Sequence, residues 1–307
     1  MNHLKKSLSP LLLWGIGVGN VISGMYFGWN LGLEKGGTYG MAIATGIVII
    51  LYICFSYSYA ELACAIPKAG GGFDYASRAF GPNIGFITGL SQILIYLFTP
   101  PAIAIGIGTN LHLAFPSISI VSFSIFMYFI FTGINVLGVK LAATIELTIT
   151  ILALLGLLLF ASITLPEFSV SNLSKNPSIG GFEGVLAAIP FAIWFFLGIE
   201  GLANVAEESE NPQKDLSNGF SRAILTLIFL CFLTFICAVG FNGWESVVYN
   251  NQGELSDSPL TLVIDGIYGK SHFFYTSLIY ISILGLVASF HGCILAGGRA
   301  TFEFARY

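Results

Sequence analysis

Eight stretches of this chain, at about 10–33, 38–65, 83–112, 118–137, 141–165, 184–206, 219–241 and 273–298, are each long and apolar enough to cross a bilayer. A helix needs about 20 such residues to span the hydrocarbon core, and in lipid every backbone polar group must find its partner within the protein. The chain therefore folds as a bundle of membrane helices. Of its 307 residues 55% are hydrophobic and 9% charged, against about 25% charged in soluble domains. The longest polar stretch, 242–272, leaves no room for a soluble domain. A formal net charge of −4 without any basic tract gives no footprint for nucleic acid. The partners expected are the lipid bilayer and a small molecule.

The Lys/Arg pattern sets an expected sidedness. With the N-terminus in the cytoplasm, Lys5, Lys6, Lys68, Arg78, Lys140, Lys214, Arg222, Arg299 and Arg306 fall inside, and only Lys35, Lys175 and Lys270 fall outside. That asymmetry is the positive-inside bias of a multi-pass protein of the cell membrane. Lys5 and Lys6 precede an apolar run as in a signal peptide, but the run continues to Leu33 without a small-residue cleavage site. It is read as a retained first span.

Two spans interrupt themselves. The run Leu11–Gly28 carries five glycines at 15, 17, 19, 24 and 28, together with Asn20 and Ser23. Each glycine weakens a helix interior by about 1 kcal/mol relative to alanine. In span 6, Gly198 and Gly201 flank Glu200. A carboxylate at membrane depth costs at least about 2.5 kcal/mol on insertion scales and marks a functional site by default. The breaks lie five spans apart in register, in spans 1 and 6, and paired interrupted helices in transporters with inverted repeats point to the substrate site. Spans 1–5 (about 10–165) form one repeat on this reading. Span 6 opens a second, partial repeat (about 184–307), all within one transmembrane domain. The spans are expected to be unwound near Ser23–Gly24 and Gly198, facing one another across a polar hollow.

Other polar groups lie at membrane depth. Pro100–Pro101 in span 3 removes two backbone donors and frees carbonyls around Tyr96 and Leu97. Glu146 in span 5 is either a buried coupling acid or a group snorkelling to the interface near Lys140, the latter being the shorter path. His291 in span 8 is either a helix–helix hydrogen bonder or a site residue. Glu207-Glu208-x-Glu210 reads as a solvated acidic cluster. The glycines at 70–72 lack the Lys-Ser/Thr of a phosphate loop, and those at 15, 17 and 19 follow no strand. The five cysteines sit in apolar stretches at no metal-ligand spacing. No nucleophile or metal-hydrolase pattern points to an enzyme, and no cofactor is expected.

Several motifs, in order and over nearly the whole chain, resemble the amino acid–polyamine–organocation permeases. They are Tyr59-Ala60-Glu61-Leu62 followed by Pro67 and Gly70–Gly72, then Asn135–Lys140 at the span 4–5 junction, and Gly198-Ile199-Glu200-Gly201 followed by Ala206-Glu207-Glu208 and Asn211-Pro212. Within that superfamily Ile22–Asn30, Ala188–Phe196 and Ala288–Gly292 look most like ethanolamine permeases. The resemblance implies an all-α fold of twelve spans, ten of them in five-plus-five inverted repeats. About eight are present here, so an incomplete second repeat is expected, Arg299–Arg306 looking like the start of the next loop. It also implies secondary transport of an amine by alternating access. An amino acid permease, another amine carrier or a non-transporting remnant are the alternatives. Carried over residue by residue, the substrate site comprises Asn20, Val21, Ser23, Gly24, Met25, Trp194, Phe195, Leu197 and Gly198. Glu200, Tyr96 and His291 are the gating and coupling candidates. Ethanolamine permeases usually carry an acid after the Ser-Gly pair, where this chain has Met25. Many relatives carry a span 5 lysine near the position of Ala153, and its absence from this chain leaves the coupling ion open between H+ and Na+.

Overall fold

The computed structural model describes residues 6–115 and 117–306, leaving Lys5 of the expected basic end outside the described residues. The fold is all-α and polytopic, and the principal helices follow the apolar runs. They are α1 (Pro10–Tyr26), α2 (Leu31–Ala65), α3 (Gly72–Phe80), α4 (Pro82–Ala114), α5 (Ile120–Val136), α6 (Val139–Thr164), α7 (Gly181–Ala192), α8 (Pro212–Asn242), α9 (Glu245–Val248), α10 (Pro259–Tyr268) and α11 (Phe273–Ala305). Among the described residues six helical units are long and apolar enough to cross a membrane, α7 being counted with its continuation to Glu208. The other two expected spans, α1 and α5, have 17 helical residues each. At 1.5 Å per residue that is about 25 Å, just short of a typical hydrocarbon core. Three short helices, α3, α9 and α10, arise where no span was expected.

The first crossing is completed differently from expectation. Helix α1 runs unbroken through Ser23 and Gly24 and ends at Tyr26. The chain then turns at Phe27–Asn30, with Gly28 at φ +81°, and resumes as the short helical piece Leu31–Gly36. Gly37 (φ 66°, ψ −172°) separates this piece from the second crossing. Two tertiary contacts keep α1 helical where its glycines invite opening. The Ser289 hydroxyl accepts from the Ser23 N–H (2.9 Å) and donates to the Gly19 carbonyl (2.8 Å), bracing both ends of one helical rung. Gly24 lies directly under the Trp194 carbonyl. The turn at 27–30 is fixed from outside. Gly28 N–H donates to Asp257 O (2.9 Å), and Asn30 Nδ2 donates to Val247 O (2.8 Å) and Ser256 O (2.7 Å).

Span 6 does break. Helix α7 ends at Ala192, a single tight turn covers Ile193–Phe195, and Gly198 takes φ +109°. A 3₁₀ stretch then carries the chain from Ile199 to Glu208. Runs of that kind beyond three or four residues are uncommon and mark hinges or strain.

Helix α1 is the axis of the bundle. Every residue from Gly15 to Tyr26 is buried, packed between α6, α8, α11 and the 3₁₀ stretch. Exposed apolar side chains such as Ile87, Phe98, Val121 and Phe129 cluster on α4 and α5, the outer surface a lipid phase would wet. One end of the bundle is laced by charge and backbone. Arg299 grips Glu208 through two hydrogen bonds (3.2 and 3.0 Å), and Lys68 lies 3.6 Å from Asp74 and 3.8 Å from Glu303. Glu208 is thus 2% exposed and not part of a solvated cluster. Its carbonyl accepts from Ser7 N–H (2.8 Å) and Leu8 N–H (2.9 Å), and Glu210 N–H returns to Leu8 O (3.2 Å).

Candidate functional site

The break in span 6 produces two adjoining hollows. The outer one, about 260 Å³, lies between α2, the start of α3 and the first half of α4, towards the end that carries Lys68. It is lined by Tyr52, Phe55, Tyr59, Gly72, Thr88, Ser91, Gln92, Ile95, Tyr96 and Glu200. Tyr52, Phe55 and Tyr59 are three and four residues apart on α2, so they form one stripe of aromatic faces. The inner hollow, about 20 Å³, has room for roughly one water. It is lined by Asn20 and Ser23 of α1, by Ile95, Tyr96, Thr99 and Ile103 of α4, by Trp194, Leu197, Gly198 and Glu200, and by Cys293 of α11.

Glu200 and Tyr96 stand where the two hollows meet. The Glu200 Oε2 accepts from the Gly198 N–H at 3.2 Å, so the carboxylate caps the broken backbone beside it. Among the described residues no Lys, Arg or His lies within ion-pair distance of Glu200. Tyr96 donates its hydroxyl to Asn204 Oδ1 (2.9 Å), which also accepts from Gln92 Nε2 (3.2 Å). Asn204 Nδ2 reaches Ala69 O (2.8 Å), tying this polar group to the loop before α3. At the far side of the inner hollow the Trp194 indole meets Phe27 edge-on, ring centroids 6.0 Å apart.

Of the sequence-predicted residues, Asn20, Ser23, Trp194, Leu197, Gly198, Glu200 and Tyr96 are brought together around the hollows. Val21, Met25 and Phe195 are at most 1% exposed and line neither hollow. Because α1 stays helical, Val21 and Met25 point into packing, and Phe195 turns to Trp29 (5.1 Å between centroids). Gly24 serves close approach to Trp194. His291 lies elsewhere, fully buried, with Nδ1 2.8 Å from Glu146 Oε2. Glu146 accordingly does not snorkel: it is 0% exposed. Ala153 offers its carbonyl to the Tyr26 hydroxyl. Helix α4 passes through Pro100–Pro101 without interruption. The residues not foreseen are the α2 aromatic stripe, Gln92, Asn204 and Ser289. Only the stripe had a local signal, its helical spacing; the others join segments more than 100 residues apart.

A family model described as "Amino acid permease" matches residues 13–306. The chain belongs to the amino acid permease family. Its members are carriers, and with its apolar helices this chain is a multi-pass membrane protein. It is 29% identical to an uncharacterized transporter of Rhizobium meliloti over 99% of this chain and 66% of that protein. It is 26% identical to a branched-chain amino acid permease of Bacillus subtilis, covering 74% of this chain and 53% of the other. With the vacuolar cationic amino acid transporter 4 of Arabidopsis thaliana the identity is 27%, over 99% and 53%. The chain thus spans about half to two thirds of the length of these curated relatives.

Proposed function

We propose that this permease is a secondary carrier of a small organic amine, with ethanolamine as substrate, importing it by alternating access. One observation carries the reading: Glu200, with no cationic partner among the described residues, faces hollows walled by Tyr52, Phe55, Tyr59 and Tyr96. A carboxylate amid aromatic faces attracts an ammonium, each favourable ring adding about 0.5–2 kcal/mol. Glu200 is the counter-charge, and with Tyr96 it forms the gate between the hollows. The carbonyls of Trp194 and Leu197 in the broken span receive the ammonium hydrogens, and the Ser23 hydroxyl meets the substrate's own; the carbonyls of Asn20 and Val21 stay within the unbroken α1. Trp194 against Phe27 closes the far side.

The state of α1 supports an amine over a zwitterion. The Ser23 N–H, which would help grip a carboxylate, is already taken by Ser289. An inner hollow of about 20 Å³ also fits a conformation closed around the substrate position, the larger hollow being the access path. We place the N-terminus in the cytoplasm of a cell-membrane protein, so that this path opens inward, and read spans 1–5 and 6 onward as the two inverted repeats. The names of the relatives favour a second reading, a carrier of amino acids.

Uptake of labelled ethanolamine into proteoliposomes, with unlabelled competitors, tests the two. Competition by ethanolamine but not by leucine or arginine is the expected result. No ethanolamine uptake by vesicles that take up labelled leucine or arginine would overturn the amine assignment.

A further inference from the structure

A second carboxylate lies deeper than the substrate hollows and takes no part in them. Glu146 on α6 and His291 on α11 are both 0% exposed, joined Oε2 to Nδ1 at 2.8 Å. Their other polar atoms, Glu146 Oε1 and His291 Nε2, have no hydrogen-bond partner among the described residues, and neither has Asn20 Oδ1. The orphaned oxygens share one place. A side chain at Gly292 would strike Asn20 Oδ1 and come within 3.2 Å of Glu146 Oε1, and one at Gly19 would strike Glu146 Oε1 as well. Two buried acceptors facing one small space without a hydrogen between them are unstable in low dielectric. A proton on Glu146 Oε1 converts that opposition into a hydrogen bond to Asn20 Oδ1.

Asn20 is also the link to the broken span. Its Nδ2 donates to the Gly198 carbonyl at 3.3 Å, and the Gly198 N–H holds Glu200. With that proton in place, one chain of contacts runs from His291 through Glu146, Asn20 and Gly198 to the carboxylate at the gate. We infer that Glu146, held by His291, is the proton-binding site of this carrier, and that its occupancy is transmitted through Asn20 to the hinge at Gly198. This rests on the carrier reading above and names its coupling ion as H+.

The surroundings isolate the pair. Helix α1 brings one titratable group to this side of α6, Tyr26, and its hydroxyl is committed to Ala153 O. Helix α11 adds Cys293, which lies in the field of both Glu146 and Glu200. Helix α5 presents the Phe131 ring, 5.1 Å from the imidazole. Among the described residues α8 and α10 place no Lys, Arg or His within ion-pair distance of Glu146. When protonated, Glu146 gives its hydrogen to Asn20 and pins α1 between α6 and α11. On release the proton leaves to water, the two oxygens repel, and the Asn20–Gly198 contact loosens.

The reconstituted chain tests this with two readouts. In pH-difference infrared spectra one component of the protonated-carboxyl band, common to the wild type and Glu200→Gln, should be missing in Glu146→Gln while the components from the other acids remain. Persistence of that component in Glu146→Gln overturns the assignment. In ethanolamine uptake, Glu146→Gln should retain exchange, because its amide still donates to Asn20, while losing both accumulation driven by a pH gradient and the wild type's pH dependence. That dependence is expected to reach about tenfold per pH unit, the limit for one coupled proton. His291→Gln should shift the pH profile without abolishing it, and Asn20→Ala should keep that infrared component yet flatten the profile. Unaltered pH dependence in Glu146→Gln overturns the inference and leaves the carrier standing. Loss of that component with no solute carried by either protein upholds the proton site and removes the carrier.

Discussion

Helix α1 and the span from Gly181 to Glu208 both carry glycines at mid-depth, but only the second lets its backbone open. In α1 the missing side chains bring neighbours close: Glu146 over Gly19 and the Trp194 carbonyl over Gly24. In span 6, Gly198 is needed for its left-handed dihedral, which non-glycine residues rarely adopt. The same residue type thus does two different jobs, and composition alone cannot separate them. What separates them is the neighbour. Ser289 braces the α1 rung between Gly19 and Ser23, whereas Asn20 and Glu200 stabilise the open backbone on either side of Gly198.

The contrast can be broken most forcefully at Gly198. Alanine there meets both a φ of +109° and the Asn20 carbonyl at 2.9 Å, and should destabilise the protein by about 3 kcal/mol. A thermal melt in detergent reads this, and a wild-type midpoint would mean that the break does not depend on Gly198. Gly24→Ala comes next. It pushes α1 from Trp194 in an otherwise regular helix and should cost about 2 kcal/mol, relieved in part by local shifts. The same melt checks the order, which would be reversed if α1 and not span 6 were the strained segment.

The third effect is functional. Glu200→Gln removes the charge from the gate while keeping its shape and its bond from Gly198, and should raise the KM for the amine about tenfold or more. Its pH profile should persist, in contrast to that of Glu146→Gln; an unchanged KM would separate Glu200 from substrate. The smallest expected change is Ser289→Ala, which returns the Gly19–Ser23 rung to a direct bond at a loss of about 1 kcal/mol. Amide exchange at Ser23 measures it, and faster exchange in the variant is the expected sign.

Six of the eight expected crossings appear as helices long and apolar enough to span, and the other two as the shorter apolar helices α1 and α5; they were legible because lipid imposes a length and an apolarity that local sequence alone displays. The break in span 6 was legible for a related reason: Gly198 and Gly201 around Glu200 are a local conflict with a membrane helix. The break in span 1 was expected about four residues too early. Nothing near Ser23 announces Ser289, 266 residues away, whose hydroxyl bridges the Gly19–Ser23 rung of the continuing helix. Glu146 was misread towards the interface for the same cause, since its partner His291 lies 145 residues on. Trp194, Leu197, Asn20 and Ser23 reached the hollow through the family resemblance. The aromatic stripe of α2 was written in plain spacing and overlooked beside the glycines.

The lacing of Leu8 to Glu208 and Glu210 makes the foot of α1 and the tail of span 6 a single lever. Neither can swing without dragging the other, so the hinge at Gly198 has only one free arm to bend, the α7 side. Distance rulers fixed across that stitched foot would stay constant through a transport cycle while rulers from it to α4 lengthen and shorten.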